Sequence, residues 1–159
     1  MPMSQEIQAA IGGLVIETTW IEYLSGRLIR MAGISDNEMA LLGPNSRRFD
    51  LALQAAGRFK DLELAEQTRL WLRKAEDLRR KRHEVVHSIV LYSHRADLAA
   101  YHPRSGNVVT YSTREVVDLA AQVTQHADEG NIMCIFYWPA ALGLADSAQA
   151  DDDPLLDDH

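Results

Sequence analysis

Cysteine is almost absent: Cys134 is the only one in 159 residues. A lone cysteine closes no intramolecular disulfide, which removes the stapled secreted mini-proteins and fits a reducing compartment. Long hydrophobic runs are missing too. The longest apolar stretch, residues 132–145, is too short for a bilayer and is broken by Pro139 and Gly143. Residues 1–5 show no basic segment leading into an apolar one, so no export signal is expected and the chain reads as cytoplasmic, with no membrane partner. Proline and glycine are sparse, at five and nine, and none falls between Leu62 and Val90. Aromatics make up 7% of the chain. No internal repeat of 20 to 50 residues is visible, which excludes solenoids and propellers.

What is present is an ordinary globular composition, 47% hydrophobic and 25% charged, with a mean hydropathy of -0.21. The length suits a single core. The formal charge of -7 would argue against an anionic partner if it were evenly spread. It is not: six of the 23 acids (Asp146, Asp151, Asp152, Asp153, Asp157 and Asp158) lie in a tail without Lys or Arg, whereas residues 69–82 hold seven bases against two acids. Phosphates respond to local charge, so a basic stripe survives the acidic average. The expected organisation is one helical domain over residues 1–145 and a disordered acidic tail over 146–159.

Apolar residues at Ile7, Ile11, Leu14, Ile21, Leu24 and Leu28, with Thr18 in register, repeat with helical spacing, and Gly33 marks the stop. Ser35-Asp36-Asn37-Glu38 is a capping box for a short helix ending at Gly43-Pro44. A further helix starts near Asn45 or Ser46. The stretch from about Leu62 to Val90 reads as one long helix with the stripe Leu64, Trp71, Ala75, Leu78, Val85 and Ile89, on which Arg82 also falls. Pro103 and Ser105-Gly106-Asn107 signal turns, and Val108–Tyr111 reads as a short extended piece. Ser112-Thr113-Arg114-Glu115 is a second capping box, opening a helix with Val116, Ala120, Val123 and Ala127 on one face. The run from Ile132 to Trp138 fits a strand or a helix continuation equally. Four or five helices without a convincing sheet give an all-α bundle.

Two motifs overlap at the end of the long helix. His83-Glu84-Val85-Val86-His87 matches the HExxH pattern, in which two His four apart bind zinc and the Glu serves a metal-bound water. The extended form of that pattern would need Gly at 90 and His at 93, where the chain has Val90 and Ser93. Zinc hydrolysis through His83, Glu84 and His87 is therefore one alternative.

The other motif is Arg82-His83-x-x-x-His87. On these positions and the order of helices around them, residues 5–135 resemble the HEPN superfamily, whose marker is Arg, a polar residue, three further residues and His near the end of a long bundle helix. The resemblance implies a homodimer of four- or five-helix bundles. It also implies a metal-independent endoribonuclease that needs no cofactor, with toxin or defence roles and an antitoxin or other regulatory protein as partner. A non-catalytic module binding RNA, nucleotide or protein is the alternative within the family. Ile89 stands where one toxin subgroup carries Tyr.

The residues suit that chemistry on their own terms. Cutting RNA without a metal needs a group exchanging protons near neutral pH, which is His, and a fixed cation for the charge on phosphorus, which Arg supplies as a planar fork. Arg82 and His87 are thus expected to be catalytic, with His83 in support. At about 100° per residue Arg82 and His87 point about 140° apart, so one chain separates them and a symmetric dimer would gather both pairs around one cleft. Arg73, Arg79, Arg80 and Lys81 are the expected RNA-binding residues, although a basic run is also what a solvated helix face looks like. Trp20, Trp71 and Trp138 are expected in the core or a dimer contact.

Overall fold

The computed structural model describes residues 5–35, 37, 46–87, 89–92, 98–101, 106 and 108–144. It is mostly helical, in the order α1 (Gln5–Met31), α2 (Ser46–Ala56), α3 (Leu62–His87), β1 (Ile89–Tyr92), β2 (Leu98–Tyr101), β3 (Val108–Tyr111), α4 (Thr113–Ile132), a π-helical turn (Met133–Tyr137) and α5 (Trp138–Ala141). No helix among the described residues is long and apolar enough to cross a membrane. The acidic tail, and most of the short helix expected after residue 35, lie outside the described residues.

The helix ends follow local chemistry. Gly33 adopts φ +79°, its N–H donates to Arg30 O at 2.9 Å and that of Ile34 to Ile29 O at 3.2 Å, closing α1 with a left-handed cap. Asp61 Oδ1 accepts the N–H groups of Glu63 and Leu64, both at 3.0 Å, and so starts α3. The box at Ser112 is reciprocal: the Glu115 N–H donates to Ser112 Oγ at 3.2 Å and the Ser112 N–H to Glu115 Oε2 at 2.7 Å. These bonds, the backbone one first, hold the Glu115 carboxyl below its ordinary pKa.

The chain groups into two compact units. One comprises Met1–Tyr23 and Arg73–Gly130. Its core is Ile7, Leu14, Thr18 and Ile21 of α1, Ala75, Leu78 and Val85 of α3, and Val116, Leu119, Val123 and Ala127 of α4. His126, also buried, keeps Nδ1 3.5 Å from the Glu129 carboxylate. This unit also holds the one departure from an all-helical count, an antiparallel meander in the order β1-β2-β3. Ile89 pairs with Tyr101 and Tyr92 with Leu98; Leu98 in turn pairs with Tyr111 and Tyr101 with Val108. Val108–Tyr111 is extended as expected. The long helix, expected to reach Val90, stops at His87 because Ile-Val-Leu-Tyr, β-branched and aromatic, satisfies its backbone by pairing with β2.

The other unit comprises Leu24–Leu72 and Asn131–His159. Leu28 and Ile29 of α1, Phe49 and Ala52 of α2, Leu72 of α3, Cys134 and Trp138 are buried in it. Trp138 is fully buried, packs edge-on against Trp71 with ring centroids 5.7 Å apart, and donates its indole N–H to Thr68 Oγ1 at 3.1 Å. The run after Gly130 is thereby resolved as helix. Its π-helical turn, with the Trp138 N–H donating to Met133 O, precedes Pro139, whose ring would clash with the carbonyl four residues back in an unbroken α-helix. Burial pushes the Cys134 thiol pKa up, against a smaller opposing pull from Arg27. Trp71 and Trp138 are core residues, whereas Trp20 is 42% exposed and stacks on Tyr23 at 4.9 Å.

Candidate functional site

The last turns of α3 carry the motif. Its apolar register is fixed by Ala75, Leu78 and Val85, each at most 3% exposed, and Arg82 lies on the same stripe. A guanidinium in that position must find a counter-charge, since burying it alone is prohibitive. Glu22, on the inward side of α1, supplies it: Arg82 Nη2 is 3.9 Å from Glu22 Oε1, with the side chains 16% and 15% exposed. The pairing is loose. Both Arg82 Nε and Glu22 Oε1 are buried with no hydrogen-bond partner among the described residues. Buried polar atoms are seldom left in that state, so this guanidinium retains binding capacity at the edge it still exposes.

Around the helix from Arg82, His83 is exposed and Glu84 half-buried. Glu84 Oε2 accepts the Tyr111 hydroxyl at 3.2 Å, a bond from α3 to the end of β3. Burial first, and the Glu84 carboxylate second, raise the Tyr111 pKa, so the phenol stays a donor well into alkaline solution. His87 closes α3 as its last helical residue, but its side chain lies outside the described residues, as do His94 and His102. By helix geometry the positions of His83 and His87 fall about 40° apart and one turn along.

The basic residues differ in their surroundings. Arg73 and Lys81 are exposed, and Arg79 is half-buried. Arg80, with 66% of its side chain exposed, lies 3.1 Å from Asp77 Oδ1 one turn back. Such an exposed pair within one helix contributes little and opens readily. Arg73, Arg80 and Lys81 therefore form a solvated basic surface leading to the motif.

Two partners of the motif carry no signal in the sequence: Glu22 is sixty positions from Arg82, and no spacing rule links Tyr111 to Glu84. Among the described residues no three His, Cys, Asp or Glu side chains come together as a metal cage. No family model, curated protein or solved structure matches this chain.

Proposed function

We propose that this protein is a metal-independent endoribonuclease of HEPN type, working as a homodimer, with Arg82 and His87 as its reacting pair and His83 in support. The observation that carries the reading is the guanidinium of Arg82. It sits on the motif helix, restrained by a single 3.9 Å ion pair and short of hydrogen-bond partners. A phosphodiester would complete it, and a cation already held in place costs no reorganisation as charge builds on phosphorus.

His87 then exchanges the proton of the 2′-hydroxyl or of the leaving 5′-oxygen. The products are a 2′,3′-cyclic phosphate and a 5′-hydroxyl. Arg73, Arg79, Arg80 and Lys81 hold the flanking phosphates, which makes affinity fall with salt. Two copies are needed because the positions of Arg82 and His87 diverge by about 140° on one helix. A toxin or defence role, restrained by a regulatory protein, follows from the same reading.

Two substitutions test it. Arg82→Ala and His87→Ala are each expected to lower RNA cleavage by about a hundredfold or more, in proteins whose circular dichroism is unchanged. Cleavage surviving both at the parent rate overturns the assignment.

A further inference from the structure

A cavity of about 380 Å³ opens beside the motif, between α3, the end of β3 and α4. Its apolar side is Val85 and Val116, both buried. Tyr111 supplies an aromatic wall, and Lys81, Glu84 and Asp118 supply charge. The acids are not equivalent. Glu115, also at the rim, is engaged in the helix cap with Ser112, and Asp118 is exposed with Oδ2 3.8 Å from Arg114 Nε. Only Glu84 is both half-buried and steadied by a neighbour, through the Tyr111 hydroxyl at 3.2 Å. A carboxylate has about four lone-pair sites, so accepting one phenol leaves it capable of taking a two-donor edge.

We infer that this cavity is a nucleobase pocket selecting guanine. The Watson–Crick edge of guanine presents two adjacent donors, N1–H and the N2 amino group, followed by the O6 acceptor. Glu84 can accept both donors, and the ammonium of Lys81, one turn earlier on α3, can donate to O6. The other bases mismatch: adenine and cytosine would turn an unprotonated ring nitrogen toward the carboxylate, and uracil offers one donor flanked by carbonyls. Unpaired bases are read on this edge while stacking against apolar and aromatic walls, which Val85, Val116 and Tyr111 provide. Lys81 disfavours a fully cationic guest, the other flat group that a carboxylate would attract.

The inference rests on the ribonuclease reading only in treating the base as part of an RNA substrate. Its test is therefore binding without cleavage: NMR titration of the full chain with guanosine, adenosine, cytidine and uridine. A two-bond carboxylate contact predicts that guanosine binds about 5- to 150-fold more tightly than the others, with the Glu84 and Tyr111 amides shifting. Glu84→Gln should bring the four within twofold of one another, and Tyr111→Phe should weaken guanosine while keeping the order. Equal binding of all four, no binding to the folded chain, or tighter binding of methylguanidinium at the same amides overturns the pocket. Selective guanosine binding by a protein that cuts no RNA would remove the ribonuclease and leave the pocket. RNA cleavage indifferent to base, without guanosine binding, would do the reverse.

Discussion

Breaking the Arg82–Glu22 pair separates structural from chemical roles for the guanidinium. At 3.9 Å, two unit charges in an effective dielectric of about 20 attract by about 4 kcal/mol. The two side chains are only 16% and 15% exposed, so desolvation takes back much of that. The expected coupling in a double-mutant cycle is about 1 to 3 kcal/mol, within the range for contacting charged residues. Arg82→Ala, which strands Glu22, should cost about 2 to 4 kcal/mol, and Arg82→Met combined with Glu22→Gln should cost less than the single changes added together. Urea unfolding of the four proteins measures this directly. Coupling below about 0.5 kcal/mol would mean that the pair contributes nothing and that Arg82 is held by other contacts. The same proteins report on chemistry. Glu22→Gln keeps the guanidinium and relaxes its hold, so it should lose stability while retaining RNA cleavage. If folded Glu22→Gln lost cleavage as completely as Arg82→Ala, Arg82 would be acting through the fold and not on phosphate.

Trp138→Ala should destabilise by about 3 to 5 kcal/mol in urea unfolding, because it removes a fully buried ring, its contact with Trp71 and the bond to Thr68; Trp138→Phe should lose less. Ser112→Ala should cost about 1 kcal/mol through loss of the α4 cap. It should also flatten part of the acid dependence of stability. The Glu115 carboxyl is held below its ordinary pKa when folded, so its contribution is present above that ordinary value and lost as pH falls through the lowered one. Stability of the parent and of Ser112→Ala, measured from pH 7 down to pH 3, should converge at the acid end. Gly33→Ala should cost about 1 to 2 kcal/mol, since φ +79° strains any residue with a Cβ; an unchanged urea midpoint would contradict the left-handed cap.

Much of the helical architecture is legible in the sequence because its signals are local. The heptad-like stripe from Ile7 to Leu28, Gly33 as a stop and the Ser112–Glu115 box each act within a few residues, and the helices begin and end there. The meander is only half legible. Val108–Tyr111 is flanked by turn residues and reads as extended, whereas Ile89–Tyr92 continues an apolar helical stripe and turns to strand only because β2 pairs with it, a nonlocal gain that periodicity does not carry. The same limit applies to the candidate site. The motif positions stand out in the sequence, and so does Arg82 on an apolar stripe, which announces that some counter-charge exists. Which residue supplies it depends on how α1 packs against α3, and the pairing of Glu84 with Tyr111 depends on where β3 ends. Trp20 shows the converse: helical spacing marks Trp71 and Trp138 as buried correctly, but a single apolar residue at the edge of a stripe can face solvent.

The central claim is that a guanidinium and an imidazole, without a metal, cut RNA. Its most direct measurement is incubation of the purified protein with end-labelled RNA in excess EDTA, followed by analysis of the product ends. Cleavage that persists and leaves 2′,3′-cyclic phosphate and 5′-hydroxyl termini is the predicted result. Intact RNA in the presence of folded protein, or cleavage restored only when zinc is returned, would contradict the account.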